Sequence, residues 1–389
     1  MTGASPGTRS TGVLTLIAEQ IYARVPGGTG RYSREVVAAV GASAPPGWRA
    51  RSVTAWHRDR GPARIAGVDG PDRLPFDQRV LARLWERGLG PTLGGAVVHA
   101  LTPLAPARLR RGQSLVVTVH DAVPYTHPET LTARGATWHR LMIERADRLA
   151  AALVVPTEAV AAGLRAAGID GRIEVIGEGV ASALAVPVPT ADIERVRNRL
   201  GLPRRYALTV GTLEPRKGLD VLLDALSSPA LAGAESADVG FVVVGQPGWG
   251  DSDVAAEAGR RGVGDRVRVL GRLSDADLAA VMAGATVSVT PSRSEGFGLP
   301  LLEAMTRGIP VVHSDAPALA EVADGAGVCV PAGDAGALGS AIAEVLTNPD
   351  FAARMSRAGR LRAADFSWES VAERLWVLYQ DVAAARSSG

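Results

Sequence analysis

Two glutamates and a Gly-Phe-Gly segment lie together shortly after Thr290, and their types and spacing are well suited to chemistry. Pro300 is favourable in the first turn of a helix, so we predict Glu295 in the loop before that helix and Glu303 about one turn into it. The two carboxylates can accept hydrogen bonds from sugar hydroxyls on one side and ribose hydroxyls on the other. The predicted helix N-terminus also offers backbone amides to a diphosphate, those of Phe297, Gly298 and Leu299.

Two adjacent cations, Arg216 and Lys217, follow an apolar segment of strand length, Tyr206 to Val210. Lys217 is the only lysine among the 42 basic residues, and arginine stands at all the other basic positions. A position that keeps lysine in such a chain is predicted to need a compact ammonium instead of a planar guanidinium. The pair suits a phosphate, although a solvated basic turn and a lysine kept by chance are the alternatives.

A glycine-rich segment, Gly27 to Gly30, follows the first predicted strand and precedes a helical pattern that begins at Tyr32. Glycines let a backbone approach a ligand closely, and the start of a helix offers unpaired amides to a phosphate. Gly28 and Thr29 are therefore candidate diphosphate contacts. The segment does not match the dinucleotide-binding fingerprint, since Ser33 stands at the third glycine position. A glycine-rich turn that binds no ligand is the alternative.

A histidine and an aspartate, His120 and Asp121, end the predicted strand Leu115 to Val119. Ligands of doubly wound sheets bind beyond the carboxyl ends of the strands, so His120 is expected to face the same cleft. A buried histidine with satisfied hydrogen bonds is the alternative. Asp251-Ser252-Asp253 resembles a metal-binding Asp-x-Asp, but it precedes an alanine-rich helical stretch and is better explained by helix capping. We therefore expect no metal and no other cofactor.

The elements that position these residues alternate between strand-length apolar runs and helical patterns, which indicates parallel sheets with crossover helices. One series of predicted strands comprises Val13 to Ala18, Val97 to Ala100, Leu115 to Val119 and Ala152 to Val155. A second series comprises Tyr206 to Val210, Gly240 to Val244, Val267 to Leu270, Val287 to Thr290 and Pro310 to Val312. The prediction is an α/β fold with two doubly wound, Rossmann-like domains facing across a cleft, residues 1–195 and 196–367. A terminal helix over about 368–384 follows; its spacing does not show which domain it packs on.

Composition limits the classes of function. The chain has 389 residues, 47% of them hydrophobic and 21% charged, which is typical of a globular protein with more than one domain. A net charge of +2 gives nucleic acid no electrostatic basis for binding. The one cysteine, Cys329, is predicted in a buried strand, which fits a reducing cytoplasm. The apolar run that begins at Val13 is interrupted at Glu19, too early for a signal peptide, and no membrane span is predicted.

Taken together, these motifs resemble the retaining GT-B glycosyltransferases of family 4, and most closely their mannosyltransferase-type branch. The resemblance extends from about residue 13 to residue 380. It rests on these segments: Gly27 to Gly30, Val119-His120-Asp121 with Pro124 and His127-Pro128-Glu129, Gly211 to Lys217, Pro291 to Met305, and Gly308 to Val312.

The resemblance implies a role for each site residue. Arg216 and Lys217 would bind the donor diphosphate, Glu295 the donor sugar and Glu303 the ribose. His120 would line the reaction centre, Arg272 and Leu273 the nucleobase side, and Asp121 the acceptor side. Many relatives carry arginine where this chain has Thr212, which leaves more of the phosphate charge to Arg216 and Lys217.

The resemblance also implies chemistry. A nucleoside diphosphate is a good leaving group, so cations and a helix N-terminus suffice to stabilise its developing charge without a metal. Retention without an enzymic nucleophile would follow from front-face attack, with the departing phosphate accepting the acceptor's proton. The motifs favour GDP-mannose as donor over UDP- or dTDP-sugars. The acceptor would be a glycan, as in a cell-envelope polysaccharide, a lipid-linked sugar or a small molecule.

Residues 76–90 have the spacing of an amphipathic helix, with Arg79, Arg83 and Arg87 away from the apolar face formed by Val80, Leu81, Leu84 and Trp85. Arg108, Arg110 and Arg111 add a basic loop in the same domain. An ordinary surface helix packed by its apolar stripe is one interpretation. The other is a face that binds an anionic membrane to reach a lipid-linked acceptor. The second interpretation predicts a cytoplasmic protein that binds peripherally at the inner face of the membrane.

Rival functions account for fewer of these residues. A glycoside hydrolase also uses two carboxylates but needs neither Arg216-Lys217 nor a glycine-rich segment opposite. A nucleotide-sugar epimerase shares the two-domain architecture, and a catalytically silent protein that binds nucleotide sugars would keep the same contacts. An NAD-dependent oxidoreductase fits least, given the mismatch to the dinucleotide fingerprint.

Overall fold

The computed structural model describes residues 12–23, 27–233, 238–248 and 253–387. They form two parallel β-sheets with helices on both faces of each. The two doubly wound, Rossmann-like units predicted from the alternating pattern are therefore confirmed.

The first sheet has seven strands in the order β3-β2-β1-β4-β5-β6-β7. All four strands predicted for the first half are present, within one residue at each end. The strands β2, β3 and β7 are additional; β2 and β3 carry charged residues and β7 has only three residues, so none forms an apolar run. The strands are β1 Gly12–Ile17, β2 Trp48–Thr54, β3 Asp69–Arg73, β4 Val97–Ala100, β5 Ser114–Thr118, β6 Ala152–Val155 and β7 Ile173–Val175.

The second sheet has six strands in the order β10-β9-β8-β11-β12-β13. Its central strands are buried along their length, as expected of parallel strands covered on both faces. Cys329 lies in a strand as predicted, but its side chain is exposed and not buried: the strand is β13, of only three residues at the edge of the sheet, where the faces are covered less completely than at the centre. The strands are β8 Tyr206–Val210, β9 Gly240–Val244, β10 Val267–Gly271, β11 Val287–Thr290, β12 Val311–Ser314 and β13 Val328–Val330.

Five helices, α1 to α5, belong to the first unit, and one of them begins earlier than predicted. Helix α1 begins at Gly27 and not at Tyr32, so the glycine-rich segment is the first turn of the helix and not a loop before it. The first turn tolerates glycine because its amides have no partner within the helix. These helices are α1 Gly27–Ala42, α2 Gln78–Glu86, α3 Val123–Thr126, α4 Ala133–Leu149 and α5 Glu158–Ala166.

The remaining helices surround the second sheet, except for the last. The predicted boundary between residues 195 and 196 falls inside helix α7, which packs against α11 of the second unit. The helices are α6 Ser182–Ala185, α7 Thr190–Leu200, α8 Leu219–Leu226, α9 Pro229–Ala232, α10 Val254–Arg260, α11 Asp275–Ala283, α12 Leu299–Arg307, α13 Pro317–Ala323, α14 Ala335–Thr347, α15 Pro349–Ala363 and α16 Trp368–Ser387.

The terminal helix α16 returns to the first sheet, where it packs against α1, β4 and β5. Trp376 is buried there and donates a hydrogen bond from Nε1 to the carbonyl of Val40 at 3.1 Å. The Ser114 hydroxyl, on β5, donates to the carbonyl of Val382 at 2.7 Å. The chain thus crosses between the units twice. None of the described helices is both long and apolar enough to span a membrane.

Candidate functional site

The predicted site residues converge on one cavity of about 800 Å³ between the two sheets. Loops that follow β1, β5, β8, β10 and β11 line it, which places the site at the carboxyl ends of the strands of both sheets. All the predicted residues except Glu303 line this cavity: Gly28, Thr29, His120, Asp121, Arg216, Lys217, Arg272, Leu273, Glu295, Phe297, Gly298 and Leu299.

Helix α12 begins at the cavity as predicted. Gly298 is its N-cap, with a φ of 97° that favours glycine, and the first-turn position of Pro300 is confirmed. A Cβ at Gly298 would lie 2.5 Å from the Leu319 side chain, so this close approach also requires glycine. The amides of the first turn are therefore directed to the cavity by a backbone that few other residues could adopt.

Helix α1 of the first unit begins at the same cavity. A Cβ on Gly28 would lie 3.7 Å from the Leu299 side chain, so the first turns of α1 and α12 are neighbours. The N-terminal ends of both helices carry partial positive charge. An anion bound between them would interact with both units at once.

Glu295 contacts both Lys217 and Arg216 in the cavity. Its Oε1 lies 2.5 Å from Lys217 Nζ and accepts a hydrogen bond from the Ser292 hydroxyl at 2.8 Å. Its Oε2 lies 3.1 Å from an Arg216 guanidinium nitrogen. Arg216 Nε also donates to a Glu214 oxygen at 3.0 Å. This cluster brings a carboxylate and both predicted phosphate ligands within contact of one another.

Burial and neighbouring charges act against one another on the pKa values of this cluster. Burial alone would raise the pKa of Glu295, but Lys217 and Arg216 outweigh it and lower that pKa to about 2. Burial and the charge of Arg216 lower the pKa of Lys217, whereas Glu295 and Asp121 raise the pKa of Arg216 against the effect of its burial. A diphosphate entering the cavity would compete with Glu295 for these cations and leave the carboxylate free for a sugar hydroxyl.

His120 is held by the first unit in a fixed orientation. Its Nε2 lies 2.8 Å from the carbonyl oxygen of Leu101, an acceptor, so Nε2 carries the proton. The ring of Tyr32 packs edge-on against it, with centroids 4.7 Å apart. Its Nδ1 lies 3.8 Å from Glu178 Oε1. His120 is therefore oriented by its neighbours, and Nδ1 is the ring nitrogen left for other partners.

Glu178 is a site residue that was not predicted from the sequence. It is buried and lines the cavity beside His120. It follows β7, a strand too short to be predicted, and a glutamate between two glycines after a recognised strand would have been the signal.

Glu303 lies behind the cavity wall. Its side chain has no solvent exposure, and its Oε1 accepts a hydrogen bond from Arg31 of helix α1 at 2.6 Å. Its Oε2 is buried without a hydrogen-bond partner. Burial raises the pKa of Glu303 to about 7, although Arg31 opposes the shift. The predicted ribose contact of Glu303 stays a prediction. Its partner from the other unit, Arg31, directly follows the glycine-rich segment and was not predicted as a site residue.

Possible metal ligands do not cluster in the described parts of the chain. No three His, Cys, Asp or Glu residues there are grouped so that they could hold a metal ion. Asp253 caps helix α10 by accepting a hydrogen bond from the amide of Ala256 at 3.0 Å, as predicted. Asp251 and Ser252 lie outside the described residues.

Two family models match the chain, one on each unit. The one described as Glycosyltransferase Family 4 matches residues 26–183, and the one described as Glycosyl transferases group 1 matches residues 190–362. The family motifs therefore cover both sides of the cavity.

Curated relatives match with moderate identity. An MMP alpha-(1->4)-mannosyltransferase from Mycolicibacterium hassiacum is 31% identical over 293 residues, which are 71% of this chain and 67% of the relative. An O-antigen chain mannosyltransferase B from Escherichia coli is 37% identical over 166 residues. That match covers 42% of this chain and 43% of the relative, so it spans less than half of either protein.

A solved structure shares the whole fold. Sucrose-phosphate synthase from Thermosynechococcus elongatus superposes with a TM-score of 0.74 at 23% identity, over 96% of this chain and 100% of that one. The similarity supports the arrangement of two parallel-sheet units about one cleft.

Proposed function

We propose, from the premise that this chain belongs to the family 4 glycosyltransferases, that it transfers a sugar from a nucleotide-sugar donor to an acceptor hydroxyl with retention of configuration. The observation that carries the proposal is the cluster of Arg216, Lys217 and Glu295 in a cavity that two helix N-termini also face. Such a site suits a diphosphate attached to a hydroxyl-rich group, because it offers positive charge and a carboxylate side by side.

The proposed mechanism assigns the chemistry to charge stabilisation. Arg216, Lys217 and the amides of Phe297, Gly298 and Leu299 would stabilise the diphosphate as its bond to the anomeric carbon breaks. Glu295, released from the cations, would accept a hydrogen bond from the sugar. The acceptor oxygen would attack the same face, and its proton would go to the departing phosphate oxygen.

GDP-mannose is the proposed donor, and a cell-envelope glycan or lipid-linked sugar the proposed acceptor. Two relatives named as mannosyltransferases support this choice, one of them an O-antigen chain enzyme. Arg272 and Leu273 lie at the cavity where the proposal puts the nucleobase, and Asp121 lies on the proposed acceptor side.

The function is tested by incubating the purified protein with a panel of GDP-, UDP- and dTDP-sugars and measuring the nucleoside diphosphate released. We expect release with GDP-mannose, rising when a glycan acceptor is added, and an α-linked product by NMR. Conversion of the donor to another nucleotide sugar would instead show an epimerase. Binding without release, at every acceptor tried, would show a non-catalytic binding protein.

Transfer is expected to continue in excess EDTA, because the proposed site supplies its own positive charge. The measurement compares initial rates of diphosphate release before and after chelation, with magnesium or manganese then added back. Activity that disappears on chelation and returns with either ion would contradict the proposal and make Asp251 and Asp253 candidate ligands.

A further inference from the structure

Arg31 and Glu303 form an ion pair across the two units, 272 positions apart in the chain. Each stands about one turn inside the helix that begins at the cavity, Arg31 in α1 and Glu303 in α12. The guanidinium NH1 lies 2.6 Å from Glu303 Oε1, and NH2 lies 3.7 Å from Asp275 Oδ1. Arg31 therefore contacts two carboxylates of the opposite unit while its side chain lines the cavity.

The pairing leaves Glu303 incompletely satisfied. Its Oε2 is buried and accepts no hydrogen bond, although a buried carboxylate oxygen without a donor is costly. A ligand hydroxyl would supply the missing donor. Since Glu303 has no exposed surface, such a hydroxyl reaches it only if the neighbouring side chains move, and Arg31, with 24% of its side chain exposed, is the neighbour with access to the cavity.

The two cations predicted to bind the diphosphate, Arg216 and Lys217, already have carboxylate partners. Arg216 and Lys217 share Glu295, and Arg216 also pairs with Glu214. A nucleoside diphosphate adds two or three negative charges to this cavity. Arg31 is a cation near the first turns of both helices, and one turn of helix measures about 5.4 Å, so a rotation of its long side chain is enough to bring it to an anion there.

We propose that Arg31 exchanges partners when the donor binds: it pairs with Glu303 in the empty enzyme, and it turns to the diphosphate when the ribose hydroxyls take Glu303. This inference rests on the proposed function, since it requires a nucleoside diphosphate in the cavity. It makes Arg31 a donor-binding residue contributed by the first unit. Donor binding would then replace the direct ion pair between the units with contacts that each unit makes to the bound donor.

The exchange predicts opposite effects on two ligands. Arg31→Met keeps the aliphatic stem and removes the charge. Guanosine, which has the ribose but no phosphate, should bind this variant about threefold tighter or more, because the ribose no longer displaces a competing cation. GDP should bind it roughly ten- to a hundredfold more weakly, because an ionic contact to phosphate is lost. Arg31→Lys should recover part of the GDP affinity.

The experiment measures both dissociation constants by calorimetry for the wild type and each variant, with UDP and uridine as a second pair. Arg34→Met removes the same charge from the same helix and should not move the two ligands in opposite directions. In a Glu303→Gln background, the gain in guanosine affinity on Arg31→Met should disappear.

The outcomes separate the two proposals. If Arg31→Met changes both ligands in the same direction, or neither, Arg31 is a fixed tie between the units and the exchange is wrong while the proposed function stands. If the wild type binds neither nucleoside diphosphate, the proposed function falls together with the exchange. If circular dichroism shows that Arg31→Met does not fold, Arg31→Lys and Glu303→Gln test the exchange in its place. Unchanged affinities for both ligands in these two variants would also overturn the exchange.

Discussion

At the scale of single residues, the candidate site balances charges that are buried together. Glu295 contacts Lys217, Arg216 and the Ser292 hydroxyl, so three groups compensate the loss of its hydration. Removing one partner of a buried pair costs more than the pair contributes, because the remaining charge is left without compensation. Substitutions here therefore have to be tested for folding as well as for activity.

Lys217→Ala and Arg216→Ala are each expected to lower transfer about a hundredfold, since the loss of one contact to a developing charge costs roughly 3 kcal/mol. Lys217→Arg should recover little, because a planar guanidinium does not reproduce the contact of a compact ammonium with Glu295 Oε1. Initial rates at saturating donor provide the measurement. Arg195→Ala, an exposed arginine of α7, is the control, and near-full activity of Lys217→Ala would refute the argument from the single lysine.

Glu303 predicts a specific dependence of stability on pH. Its pKa is raised from 4.5 to about 7 on folding, so the folded state binds the proton more tightly than the unfolded state. The stability from this group is complete below about pH 4.5 and is lost as the pH rises to about 7. Glu303→Gln removes this dependence. Relative to that variant, the wild type should lose on the order of 3 kcal/mol of unfolding free energy over this range.

Urea denaturation of both proteins at pH 4.5, 6 and 7.5 measures the difference. The other titrating groups are common to the two proteins, so they cancel in the comparison. Parallel curves for wild type and Glu303→Gln would show that the pKa of this carboxylate does not change on folding, which would contradict the prediction.

At the scale of elements, the loop before α12 and helix α13 form hydrogen bonds that connect the two units. The carbonyl of Gly296 accepts a hydrogen bond from the Thr157 hydroxyl at 2.9 Å. In α13, the carboxylate of Glu321 accepts hydrogen bonds from the amides of Glu158 and Ala159 at the start of α5, at 2.8 and 2.9 Å. A helix N-terminus of the first unit is thus capped by a side chain of the second.

Gly296→Ala is expected to separate the units. A Cβ at this position would lie 1.8 Å from the backbone oxygen of His120, so the loop and the strand end of the first unit cannot stay in contact. Transfer should fall at least about tenfold because His120 and Glu295 move apart. Small-angle scattering should show a larger radius of gyration. Gly259→Ala in α10 is the matched control, since its added methyl meets no described atom within 4 Å, and equal behaviour of the two variants would contradict the prediction.

At the scale of the whole molecule, the first unit carries a set of exposed basic residues on and near helix α2. Helix α2 packs by burying Leu81 and Trp85, so the predicted apolar stripe is divided: Val80 is exposed and Leu84 half-buried. The arginines at 79, 83 and 87 are exposed, as are those at 108, 110 and 111. The apolar packing agrees with an ordinary surface helix, and the exposed charges are what an anionic surface would attract.

We predict weak, salt-sensitive binding to anionic membranes, with each basic residue near the surface contributing on the order of 1 kcal/mol. Cosedimentation with phosphatidylglycerol vesicles at low and high salt measures it, and phosphatidylcholine vesicles are the control. Replacing Arg79, Arg83 and Arg87 by glutamine should remove most of the binding. A protein that stays in the supernatant at low salt would favour a soluble acceptor.

The sequence by itself determined the features that depend on local pattern. Apolar runs bounded by turns predicted most of the central strands, because strands buried on both faces in a parallel sheet need continuous apolar residues. Pro300 and the glycines before it predicted the start of α12, because the allowed backbone angles of these residues are a local property. The placement of His120, Arg216 and Lys217 at the cavity followed from the rule that ligands bind at the carboxyl ends of parallel strands.

The tertiary structure alone decided which distant groups meet. That α16 packs on the first sheet, that Arg31 pairs with Glu303, and that Glu178 lies beside His120 all depend on contacts between residues far apart in the chain. A helical spacing shows that one face of α16 is buried but not which surface buries it. The burial of Glu303, which raises its pKa, likewise arises from tertiary packing, and no local pattern records such packing.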